Sequence, residues 1–175
     1  MKVVFLDIDG VLNTEKHYMA QVKANNNQND ASFQFNFDPE AMQYLKEIID
    51  KTNAKIVITS TWRIGRDVSE KSLLSRYWNA ILQNFYKYGY LYEEILGTTP
   101  FLQNNGKEEV LRGQEIEEFL KDNPNIINFV IIDDDSDMGK YTETNLAQCD
   151  PYYGIDNIVK ELAISILNTG EMIYV

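Results

Sequence analysis

Residues 3 to 13 read VVFLDIDGVLN, and this stretch limits the fold more than any other. Val3 to Leu6 form an unbroken run of apolar, β-prone residues that ends in Asp7, with Asp9 and Gly10 close behind. A strand buried on both faces, as in a parallel sheet, carries such a run. Two carboxylates at its carboxyl end stand where ligands bind in open α/β sheets. Folding alone does not favour the pair, because like charges repel and their desolvation is costly. A helix cap or a solvated turn would also accommodate them, but their placement calls for a cation, a proton or chemistry.

Further apolar strands follow the same pattern. Lys55 to Ile58 ends in Thr59-Ser60-Thr61 and then Trp62-Arg63, while Asn128 to Ile132 ends in Asp133-Asp134-Asp135 with Asp137 just beyond. Tyr92 to Leu96 and Asn145 to Cys149 are expected as two more short strands. Between them the apolar spacing predicts helices. Asp38-Pro39-Glu40 starts one, with Met42, Leu45, Ile48 and Ile49 inward. A second spans about 68 to 88, with Leu74, Tyr77, Trp78, Ile81, Phe85 and Tyr88 as its stripe. A third carries Ile116, Phe119 and Leu120 up to Asn123-Pro124. The last carries Ile155, Ile158, Val159, Leu162 and Ile166. Phe33, Phe35 and Phe37 alternate with polar residues, a strand or hairpin signal. The Asn-rich run 25 to 30 reads as a loop tip and residues 103 to 109 as a polar loop. Strands alternating with helices imply an α/β, doubly wound parallel sheet with right-handed crossovers. With no linker or repeat, residues 1–175 are expected to form a single domain.

The ordered set of Asp7-x-Asp9, the Thr59-Ser60 turn, Arg112 and the Asp133-Asp134 pair resembles the haloacid dehalogenase-like (HAD) phosphohydrolase superfamily. The segments IVITSTWR, RGQEIEEFL and VIIDDDSDM with QCDPYYGI are similar to the branch named for phosphatase domains of Swiss-army-knife RNA repair proteins. The resemblance covers nearly the whole chain. It implies a Rossmann-like HAD fold with strand order 3-2-1-4-5 and a Mg²⁺-dependent phosphomonoester hydrolase. Position by position, it implies Asp7 as nucleophile and metal ligand, forming an aspartyl-phosphate. Asp9 is implied as general acid and then base, with its backbone carbonyl on the metal. Thr59 or Ser60, with Thr59 favoured, would bind the phosphoryl group, and Arg112 would supply positive charge. Asp134 would bind the metal, with Asp133 at or just behind it. Asp133, Asp135 and Asp137 also echo a calcium loop. That loop wants Gly where Met138 stands and Glu where Thr144 stands.

The stretch 13 to 37 is too short for a large cap domain and reads as a flap, so the site should be open to a macromolecule. The net charge of −11 disfavours neutralising many nucleic-acid phosphates. It tilts the reading toward a phosphoprotein, phosphotyrosine in particular, with Tyr18, Phe33 or Phe35 against the aryl ring. The phosphoprotein is the favoured expectation; the family resemblance tilts instead toward the alternative, a polynucleotide-end (3′-)phosphatase of RNA repair type. A basic rim drawn from Lys16, His17, Lys23, Arg63, Arg66, Lys71 and Arg76 would serve that second reading. A non-catalytic phosphate-binding module is the third class. A receiver domain is disfavoured because the middle strand ends in Thr59-Ser60 rather than an acid. Cys149 is the one cysteine, so no internal disulfide forms, and a reducing, cytoplasmic setting is expected. No apolar run reaches membrane-span length, and the first strand leaves no room for a signal peptide. The oligomeric state is left open.

Overall fold

The computed structural model describes residues 1–102 and 110–170. Among these residues five parallel strands are interspersed with five α-helices. In chain order they are β1 (Lys2–Leu6), α1 (Glu15–Ala24), α2 (Pro39–Thr52), β2 (Lys55–Ile58), α3 (Ser75–Lys87), β3 (Ile95–Thr98), α4 (Arg112–Asp122), β4 (Asn128–Asp133), β5 (Leu146–Gln148) and α5 (Asn157–Thr169). The sheet order is β3-β2-β1-β4-β5, as the resemblance implied. The first strand is therefore central, paired with β2 on one side and β4 on the other.

Alternation along β1 divides the core in two. Val4 and Leu6 point into the larger layer, with Met42, Leu45 and Ile48 of α2, Ile81 and Phe85 of α3, and Ala163 and Ile166 of α5. Val3 and Phe5 point the other way, onto Ile116 of α4 and Met138, with Phe119 edge-on to Phe5 at 5.7 Å. Side chains one step past the β1 core then face the α4 layer, and that is where Asp7 begins.

Three helix starts, those of α1, α2 and α5, are fixed by short polar side chains. Thr14 caps α1 by accepting from the His17 N–H, Asp38 caps α2 by accepting from Glu40, and Asp156 caps α5 by accepting from Val159. Thr14 Oγ1 also donates to Asp38 Oδ2 at 2.7 Å, and both residues are buried. One contact thus joins the flap helix to the scaffold. The flap itself is more ordered than a loop. It holds α1 and a 3₁₀ turn at Phe33–Phe35, and adds no large cap among the described residues.

Several sequence expectations shift. Phe33 to Phe37 is not a strand. The Asn84 side chain donates to Phe35 O at 2.8 Å and accepts from Phe37 N at 3.2 Å, while Phe33 and Phe35 N–H groups close local turns onto Asp30 O and Ser32 O. The helix expected from 68 begins at Ser75, because the Ser69 and Ser72 hydroxyls bond nearby backbone N–H groups and hold turns there. The third strand starts at Ile95, after a 3₁₀ turn at Tyr92–Glu94 in which the Glu94 carboxylate accepts from Leu91 N. Ile158 is 75% exposed, since the buried stripe of α5 is Val159, Ala163, Ile166 and Leu167. The loop expected at 103 to 109 lies outside the described residues. No helix among the described residues is long and apolar enough to cross a membrane.

Asp38→Ala removes the α2 cap and strands the buried Thr14 hydroxyl. We expect a loss of about 1–3 kcal/mol, read as a lower urea midpoint with an unchanged slope.

Candidate active site

The register builds a row of functional groups. Leu6 lies opposite Ile58 on one side and Ile132 on the other. One step further, Asp7 falls between Thr59 and Asp133, and the ladder continues with Thr59 N donating to Leu6 O and Asp7 N donating to Ile132 O. Parallel neighbours in register project to the same face, so all three side chains project into the α4 layer. All three are buried.

The N-terminus of α4 meets this row. Arg112 Nη1 lies 2.5 Å from Asp7 Oδ1 and 3.0 Å from Asp133 Oδ2. The Asp137 carboxylate accepts from Arg112 N at 3.2 Å, so this acid holds the helix start and does not join the cluster. Gly113 allows the approach: a Cβ there would fall 2.2 Å from Met138 O. The three acids of the calcium-like pattern therefore diverge: Asp133 is buried in the row, Asp135 is exposed and Asp137 caps a helix.

Carboxylate oxygens of Asp7, Asp133 and Asp134 lie within 4.8 Å of one another. Asp133 Oδ1 accepts from Asp135 N, whereas Oδ2 is buried without a hydrogen bond of good geometry. Burial raises the Asp7 pKa, and Asp9 adds to the rise; Arg112 and the nearby Ser60 hydroxyl oppose it. Burial first, then Asp7, pushes Asp133 up to about 8 against Arg112. Burial also raises Asp134. Crowded, dehydrated carboxylates with a spare acceptor fit a hard divalent cation such as Mg²⁺, which prefers all-oxygen ligands. Gly10 sits at φ +69°, and a Cβ would come 2.5 Å from Asp134 Oδ2, so glycine keeps that carboxylate in place.

Asp9 stands apart from this cluster, exposed at the mouth of the site. Asn13 Nδ2 donates to its Oδ1 at 2.9 Å and Trp62 Nε1 donates to its Oδ2 at 2.8 Å. Both oxygens are thus held in one orientation. The structure brings Asp7, Asp133, Asp134, Arg112 and Thr59 together; Ser60 flanks Asp7, and Asp9 lies at the rim.

Sequence reasoning missed Asn13, Trp62 and Glu115, and misplaced Arg63. Arg63 is not on a basic rim; it is 4% exposed. Its guanidinium donates to the backbone carbonyls of Thr59 and Ser60 and pairs with Glu115 of α4 at 2.5 Å. One ion pair therefore ties the Thr59-Ser60 turn to the helix that carries Arg112. The local signal was the sequence Ser-Thr-Trp-Arg; nothing nearby pointed to Glu115.

A family model described as the HAD domain in Swiss Army Knife RNA repair proteins matches residues 3–158. No curated protein and no solved structure matches the chain.

Arg63→Ala should destabilise the protein by about 3–5 kcal/mol, because Glu115 is left buried and unpaired. Replacing both residues with apolar ones of similar size should recover much of that loss. Thermal unfolding of the two variants checks this.

Proposed function

Since the chain belongs to the family of HAD domains in Swiss Army Knife RNA repair proteins, we propose that it is a phosphomonoester hydrolase acting on a polynucleotide end. The observation that carries the reading is the row of Thr59, Asp7 and Asp133 under Arg112, with Asp134 within reach.

Asp7 is the nucleophile. Its carboxylate attacks phosphorus in line with the leaving oxygen, giving an aspartyl-phosphate and the free alcohol. Arg112 holds Asp7 Oδ1, orients the carboxylate and offsets charge on the phosphoryl oxygens. The Thr59 hydroxyl, buried and without a partner, is the group we assign to a phosphoryl oxygen, with Ser60 beside it. Asp9, held by Asn13 and Trp62, gives a proton to the leaving oxygen and then takes one from the water that cleaves the acyl phosphate. A Mg²⁺ ion held by Asp7, Asp134 and Asp133, with the Asp9 carbonyl, would let an anionic nucleophile approach an anionic phosphate.

Two substrate classes compete. The net charge of −11 favours a phosphoprotein. Family membership favours a phosphorylated nucleic-acid end, and we take a 3′-phosphorylated strand as the first choice. The flap lacks a large cap, which suits either macromolecule.

Hydrolysis should require Mg²⁺ and be abolished by EDTA, with recovery on adding the metal back. Asp7→Asn should stay folded, form no phosphoenzyme and turn over no substrate; a labelled phosphoenzyme in that variant would refute the assigned nucleophile.

Salt separates the substrates. On a 3′-phosphorylated oligonucleotide, kcat/KM should fall steeply, with a log–log slope of about −0.7 per phosphate engaged. On a phosphotyrosyl peptide the dependence should be shallow. A faster reaction with the peptide than with the oligonucleotide would transfer the function to phosphoproteins and leave the catalytic residues as assigned.

A further inference from the structure

A recess of about 470 Å³ opens beside Asp9, with Gln34, Trp62, Ile64, Tyr77 and Phe101 in its walls. The general acid of a phosphatase faces the leaving oxygen. The recess at Asp9 therefore lies on the leaving-group side, where the rest of the substrate must sit. We infer that it is a subsite for the terminal nucleobase of the substrate strand. This rests on the polynucleotide reading above.

Three observations favour a base. First, Phe101 is a prepared stacking platform. It is half-exposed, and the buried Arg63 guanidinium lies 3.8 Å from its ring centroid. Tyr77 is fixed by edge contacts with Trp62 at 5.1 Å and Phe35 at 5.4 Å. Aromatic rings held in this way bind single-stranded bases with little regard to sequence, because every base has a π-face. Second, a cation stands near the aromatic wall. The Arg76 guanidinium lies 5.2 Å from the Phe35 ring and 5.4 Å from the Tyr77 ring, and Arg76 itself is exposed. Third, the recess adjoins another: Gln34 also lines a second groove of about 550 Å³ with Asn13, Tyr18 and Met19. Two recesses that share one wall residue suit a chain of at least two units.

The test compares two oligonucleotides that differ only at the 3′-phosphorylated nucleotide, one carrying its base and one abasic. Each is assayed with the wild type, Phe101→Ala and Phe101→Tyr. Stacking on one ring predicts that the wild type prefers the base-bearing end by roughly 5- to 150-fold in kcat/KM. Phe101→Ala should bring that ratio close to one, and Phe101→Tyr, which keeps the ring, should retain it. Equal rates on both ends with the wild type overturn the subsite but leave the polynucleotide reading intact. So does a ratio that survives Phe101→Ala. Hydrolysis of a phosphotyrosyl peptide with neither oligonucleotide cleaved overturns the polynucleotide reading, and the subsite with it.

Discussion

The contact on which the rest depends is that of Arg112 with Asp7 and Asp133. Neighbouring strand ends put two carboxylates side by side, buried, facing one layer. Without a cation between them such a pair would favour protonation or rearrangement. A single guanidinium nitrogen reaches both acids. To do so, α4 must begin close to the β4 end, and Asp137 and Gly113 secure that position. Arg63 and Glu115 then connect the same helix to the hydroxyl turn after β2. The end of β1, the hydroxyl turn after β2 and the acidic end of β4 are therefore held by one helix.

Much of this was legible in the sequence, and for local reasons. Each buried strand shows as an apolar run, and the residues at its carboxyl end are next in the chain, so Asp7, Thr59 and Asp133 could be read directly. Strand order came from family resemblance rather than from pattern, since periodicity does not choose neighbours. What escaped reading was set by distant partners. Arg63 looks like any surface cation until Glu115 and Phe101 are brought over it. The flap helix α1 has no buried residue, so it carries no 3.6-residue apolar signal to detect. Phe33, Phe35 and Phe37 mimic a strand, but their backbone groups bond to local turns and to the Gln21 and Asn84 side chains, not to a neighbouring strand.

The acidic balance of the chain also looks different once the site is assembled. Asp7, Asp133 and Asp134 converge where a divalent cation fits, and Asp38 and Asp156 cap helices. Those charges are local to structure and chemistry. They say little about the rest of the surface, where Arg76 and Phe101 are exposed.

Centrality of β1 has a consequence for how the molecule reaches this state. The strand that carries Asp7 precedes the other strands of the sheet in the chain, yet one of its two neighbours is β4, with Lys2 opposite Asn128. Pairings so distant in sequence form slowly, because a long loop must close before they reward it. Until β4 and α4 have been synthesised, the edge of β1 toward β4 stays open, a run of apolar residues with unpaired backbone groups. The row of Thr59, Asp7 and Asp133 is thus completed only late in synthesis, and β1 is open to misassociation while it waits.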